Sequence, residues 1–249
     1  MISFPRQHLA AGALVAVFGC ALFLRFNERM PANHEVESVG QKALFGQDFM
    51  ARERLKQWAA LGLPVAQREL GLVYAALPNR QAKAISSLTN AAEAGDVEAQ
   101  FFLAETYYKG RLQVESDFPL ALRWYHAAAK QNHGGASLML ARMTKAGEAC
   151  VPDPVIAAQW LIAASKQDNE QAMFLLSNAY ASGDGLPRDE ALAQHWLKRS
   201  AEADYPIALQ TLALQLKQSP EHADANRDKA RHIVNEMSDE RLMNWKRYQ

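Results

Sequence analysis

Tryptophan returns at 36-residue intervals, at Trp124, Trp160 and Trp196, and each return brings the same neighbours with it. Ala99, Leu103, Ala104 and Tyr107 precede the first, and Ala127, Ala128 and Ala129 follow it. Ala136, Leu140 and Ala141 precede the second, with Ala163 and Ala164 behind. Ala172, Leu176 and Tyr180 precede the third, with Ala201 behind. A unit of this length cannot enclose its own apolar face, so self-similarity at such a period specifies units that bury their faces against one another. The predicted fold class is all-α: a right-handed α-solenoid of antiparallel helix pairs, preceded by an N-terminal hydrophobic anchor helix.

The unit can be read residue by residue. In its first helix Ala99, Leu103 and Tyr107 fall within about 80° of one another on the helical wheel and form one stripe. Small residues at Ala104, Ala141 and Ser177 let the partner helix come close, while Leu103, Leu140 and Leu176 fill the space between. Gly110, Gly147, Gly183 and Gly185 suit the positive φ of a chain leaving the first helix. Asp117, Asp153 and Asp189 are placed to cap the second. Each tryptophan then stands where a large ring wedges between adjacent units. An earlier hairpin opens with Ala66, Leu70, Gly71 and Tyr74 and turns at Leu77-Pro78-Asn79-Arg80. It sits 33 residues before its successor, and the shorter turn accounts for the difference.

With its glycine- and aspartate-containing loop, the pattern A-x-x-x-L-A-x-x-Y-x-x-G followed by A-x-x-W-Y/L-x-x-A-A resembles the Sel-one-like repeat, a relative of the tetratricopeptide repeat. The clearest copies are Ala99 to Gln131 and Ala172 to Ala203, and the resemblance covers about residues 63 to 216, in four to five units. Ser87 stands in the tryptophan slot of the first unit, and Thr144 replaces the tyrosine of the third. The resemblance implies a non-enzymatic scaffold that holds a protein or peptide. Some cysteine-rich relatives are linked to β-lactams, but their paired cysteines are missing here: only Cys20 and Cys150 occur.

Around the repeats, the chain divides by composition. Leu9 to Leu24 is uncharged and apolar, so residues 1–26 are read as a signal anchor or transmembrane segment that makes the chain a single-pass membrane protein. Cleavage as a secretory peptide is the second reading. Acylation at Cys20 is disfavoured by bulky Phe18. The repeats are expected outside the cytoplasm, periplasmic in a bacterium. Residues 27–40, with Pro31, Asn33 and His34, read as a linker, and 41–62 as an N-terminal capping helix with Leu55, Trp58 and Ala59 at helical spacing and Gly62 as its stop. A fifth unit opens at Ala208, Leu212 and Ala213 and degenerates at Ser219-Pro220, so residues 217–249 are expected to finish it and form a polar C-terminal cap.

Function is constrained mostly by exclusion. Lys plus Arg equals Asp plus Glu at 27 each, so no basic field favours nucleic acid. The nucleophile, phosphate-loop and zinc motifs of common enzymes are missing, and no cofactor, metal or small-molecule substrate is evident. What remains is a surface. Two positions past each opening alanine lie Phe101, Leu138 and Phe174. Four residues further come Glu105, Arg142 and Asn178, with Tyr108 and Lys145 beyond. These eight residues are the expected lining of a concave groove for a peptide or helix, with inter-repeat packing as the competing reading for each. A membrane-tethered adaptor is therefore the expected function. An architectural subunit or a hydrolase in the cell envelope is the alternative.

Overall fold

The computed structural model describes residues 30–218 and Asp228; the anchor expected over residues 1–26 lies outside the described residues, as does nearly all of the expected C-terminal cap. The described chain is helical, without strands. In order the helices are α1 (Asn33–Phe45), α2 (Phe49–Ala60), α3 (Pro64–Ala75), α4 (Gln81–Glu93), α5 (Val97–Lys109) and α6 (Phe118–Ala129). Then come α7 (Gly134–Ala146), α8 (Pro154–Lys166), α9 (Glu170–Ser182), α10 (Glu190–Glu202) and α11 (Pro206–Gln218). Packing is densest within the pairs α3/α4, α5/α6, α7/α8 and α9/α10, and each pair rests on its sequence neighbours. Among the described residues no helix is long and apolar enough to cross a membrane.

The ends of the pairs follow the residues expected to make them. Asp117 accepts a hydrogen bond from the Leu120 amide at 2.9 Å, Asp153 from those of Val155 and Ile156, and Asp189 from that of Leu192. Gly110, Gly147 and Gly183 end α5, α7 and α9 in the left-handed region, at φ of 63°, 77° and 79°. First helices are capped as well, by side chains the sequence did not single out: Asp96, His133 and Asn169 accept from the amides of Ala99, Ala136 and Ala172. For His133 the acceptor is Nδ1.

Burial is distributed along the stack. One cluster runs from Leu88 of α4 to Met143 of α7, and another joins Leu138, Leu161 and Leu176 across α7, α8 and α9. Trp160 packs against both, which is the wedge its spacing implied, and it meets His126 of the previous unit edge-on with ring centroids 5.3 Å apart. Leu103, Leu140 and Leu176 are fully buried, and the small residues Ala104, Ala141 and Ser177 lie beside them.

Residues 33–40 depart from the expected linker: they form most of α1. Its start is fixed by Glu35, whose carboxylate accepts from the Ala32 amide at 2.9 Å. Val36, Gly40 and Ala43 make a buried stripe, with Val36 and Ala43 packing with Leu55 and Leu70 of α2 and α3. Pro31 and the polar residues that suggested a linker stand before the helix or on its outer face. The N-terminal cap is therefore a helix pair, α1/α2, rather than one helix over 41–62.

Candidate functional site

The first helices carry the expected site, and the structure splits it in two. The slot two residues past each opening alanine is a seam. Its occupant packs on the residue that begins the next unit's first helix. Phe101 stacks on His133 with centroids 4.3 Å apart, and Phe174 lies 5.6 Å from Tyr205, the residue before α11. Leu138 is only 6% exposed and belongs to the core, so it drops out of the surface on which it was expected. Packing accounts for Leu138 entirely, whereas Phe101 and Phe174 make their ring contacts across the seam and stay partly exposed. One turn into the helix, the side chain points back along the axis toward the neighbouring pair's N-terminus.

Arg68 occupies the same register in the first unit and was missed. Its partners show the same seam in ionic form. One guanidinium nitrogen donates to Asp96, which begins α5, at 3.1 Å; the other donates to Glu37 of α1 at 2.6 Å and to Glu69 at 2.9 Å. Burial alone would lower the Arg68 pKa, but three carboxylates hold it above the ordinary arginine value. Burial pushes Glu69 up despite Arg68, with Glu37 and Asp96 adding to the rise. The register itself was the available signal: an arginine where later units have Phe or Leu.

The second stripe, four residues on, does reach the surface. Glu105 accepts from the Tyr125 hydroxyl of α6 at 2.7 Å and pairs with Lys109. Burial raises its pKa, yet the Lys109 ammonium and the Tyr125 hydroxyl outweigh it, so Glu105 stays below the ordinary 4.5. A depressed carboxyl contributes stability that is present above 4.5 and lost as pH falls through the lower folded value. Glu105→Gln is accordingly expected to cost about 1 kcal/mol at neutral pH, with the gap to wild type closing in acid, as read by urea unfolding across pH. Tyr108 stands nearby, 5.4 Å from the Phe118 ring. Burial first and then Glu148 raise its pKa, against the pull of Arg142. These contacts carry the polar stripe from α5 towards α7.

Arg142, Lys145 and Asn178 come together on a hollow of about 200 Å³ between α7, α8 and α9. Pro154, Ala158, Leu161 and Leu175 supply apolar walls. Lys145 bridges at 2.5 Å to Asp184, whose loop belongs to the next unit. Arg142 is exposed and has no carboxylate in ion-pair range among the described residues. An apolar floor beside a free cation can seat one apolar side chain and a neighbouring acid.

Stacked antiparallel helix pairs, joined at a repeating seam and presenting first-helix side chains to solvent, define a helical-repeat solenoid. Residues 97–133, 135–169 and 170–205 match the family model of the Sel1 repeat, so the chain carries three Sel1 repeats, spanning α5 to α10. A Sel1 repeat protein from Oxalobacter formigenes superposes with a TM-score of 0.72 at 24% identity, over 87% of this chain and 92% of that one. A protective antigen of uropathogenic Escherichia coli strains, displaying an SLR fold, gives 0.71 at 24% identity over 82% of this chain. The match spans 46% of the antigen, so this chain corresponds to about half its length. At such identity the likeness is one of fold, and it extends beyond the three matched repeats. No curated protein matches the chain in sequence. Sel1-repeat proteins are in general protein-interaction scaffolds rather than catalysts.

Proposed function

We propose that the protein is a membrane-tethered, non-enzymatic adaptor whose first-helix surface holds a short acidic segment of a partner protein. The hollow between α7, α8 and α9 carries this reading. It combines a floor of Leu161 and Leu175 with the unpaired guanidinium of Arg142 and the amide of Asn178 at its rim. One apolar side chain buried there contributes about 1.5–3 kcal/mol, a micromolar-scale contact only when neighbouring contacts add to it. Lys145 stands at the same rim, bridged to Asp184, and Glu105 and Tyr108 extend the polar surface towards α5. Tethering supplies the rest: residues 9–24 would keep the repeats and a membrane-bound partner within one linker's reach, raising the effective concentration of weak contacts. Extracytoplasmic placement of the repeats goes with the same anchor.

Phe101 and Phe174 are poor probes, because they pack the seams and their loss would loosen the fold. Arg142→Glu and Asn178→Ala touch only exposed side chains. With a photo-crosslinking residue at position 145 in intact cells, a discrete adduct is expected from the otherwise unaltered protein. At least a tenfold loss of that adduct is expected with Arg142→Glu at unchanged melting temperature. An adduct indifferent to the charge reversal refutes the proposed surface.

A further inference from the structure

The N-terminal end of the stack carries a second hollow, larger than the first and opposite in character. It measures about 400 Å³ and lies between α2 and the turn that joins α3 to α4. Arg52, Lys56, Arg80 and Lys83 line it with Tyr74, Leu77 and Pro78, and no acidic residue is among its walls. Lys56 has an exposed partner in Glu53 at 2.7 Å; among the described residues no carboxylate pairs with Arg52, Arg80 or Lys83. The Arg52 Nε–H is buried without an acceptor. Arg80 precedes α4 at the position where later second helices have a capping aspartate, and no side chain caps the α4 amides. Four cations converge here, three of them without a carboxylate partner among the described residues, in a chain whose overall charge is zero. Such a cluster costs self-repulsion unless an anion from outside completes it.

Apolar residues stand beside it. Phe45, Phe49 and Met50, at the corner of α1 and α2, are 81%, 66% and 72% exposed. Phe49, Arg52 and Lys56 fall within about 60° on α2, so one helix face runs from bare aromatic to basic hollow. Exposed rings next to unpaired lysines and arginines match an interface between headgroups and acyl chains better than they match a peptide or a soluble anion. Chain length agrees. Eight residues, Arg25 to Ala32, separate the apolar run ending at Leu24 from α1, and they span at most about 30 Å.

We propose that this hollow binds the phosphate headgroup of an anionic phospholipid, while Phe45, Phe49 and Met50 enter the bilayer interface and hold the first helix pairs against the membrane. Placement beside the bilayer rests on the tethering reading; the headgroup site does not. Docking at this end uses none of the residues that line the α7–α9 hollow, which would stay available to a partner.

The full-length protein is to be mixed with vesicles of phosphatidylcholine alone or of phosphatidylcholine with phosphatidylglycerol, and amide hydrogen exchange followed over residues 45–56 and 77–83. Exchange at least about tenfold slower on the anionic vesicles only is expected, and is to be lost in the combined Arg52→Gln, Lys56→Gln, Arg80→Gln, Lys83→Gln variant with its melting temperature kept. If that variant does not fold, Arg80→Gln with Lys83→Gln, both exposed, is expected to show at least a threefold loss of protection. Equal protection on neutral vesicles, or protection that survives the substitutions, overturns the proposal. Inorganic phosphate that gives the same protection without vesicles overturns it in favour of a free-anion site. Carbonate washing reads the tether separately: protein stripped from neutral vesicles refutes the anchor, while protection confined to anionic vesicles still upholds the headgroup site.

Discussion

Arg68→Met is expected to destabilise the N-terminal half of the stack by about 3–5 kcal/mol at neutral pH, because it leaves buried carboxylates without their cation. Asp96 and Glu69 lose a partner inside the protein; Glu37, half exposed, can turn to water and contributes less. Acid should relieve part of the loss. Glu69 already has a raised pKa in the native protein, so the folded state takes up a proton more readily than the unfolded chain between 4.5 and that raised value. Its contribution is unfavourable above the raised value and fades as pH falls through it. Without Arg68 that window extends upward, and the gap between variant and wild type should narrow steadily from pH ~7 to ~5 in urea titrations. A loss that stays constant over this range would mean the carboxylates are solvated and the network carries little. The expected damage is local: α1, α3 and the start of α5 meet at this cluster, whereas α9 and α10 do not touch it.

Gly185→Ala is expected to open the seam between the last two full units, and Gly183→Ala serves as its control. Both glycines are left-handed, at φ of 75° and 79°, so either alanine costs about 1–2 kcal/mol in backbone strain. Surroundings separate them. A Cβ at position 183 would find its nearest atom 3.6 Å away, whereas one at 185 would overlap the carbonyl of Pro154, at the start of α8 in the preceding unit. Overlap with main chain cannot be relieved by a rotamer and adds about 1–3 kcal/mol. Thermal unfolding of the two variants should therefore differ by several degrees, with Gly185→Ala the lower. Equal melting temperatures would show that the seam has slack at this point. Asp184, between the two glycines, bridges to Lys145 across the same seam. Displacing the loop should consequently weaken the rim of the α7–α9 hollow as well as the fold.

Periodicity and local signals determined the helices of the repeats, the ends of their first helices and the starts of their second: the alanine and leucine stripes, the left-handed glycines and the aspartate caps are each readable within a turn or two of chain. The tryptophan interval likewise determined that burial would be shared between units. Beginnings of the first helices were less legible, since a histidine cap at His133 looks like any surface histidine until Nδ1 is seen accepting from Ala136. Residues 33–40 misled because polar side chains on the outer face of α1 dilute the apolar period, and the stripe of Val36, Gly40 and Ala43 is defined by what α2 and α3 present to it. Which first-helix residues face solvent was a tertiary decision throughout. Phe101, Leu138 and Phe174 sit at one register and read alike, yet the neighbouring helix starts turn that register into a seam. Of the stripe one turn later, Arg142 and Asn178 gather at a hollow, while Glu105 turns to Tyr125 and Lys109. Helical spacing fixes the direction of a side chain relative to its own axis; only the stacking of the next pair decides whether that direction ends in protein or in water.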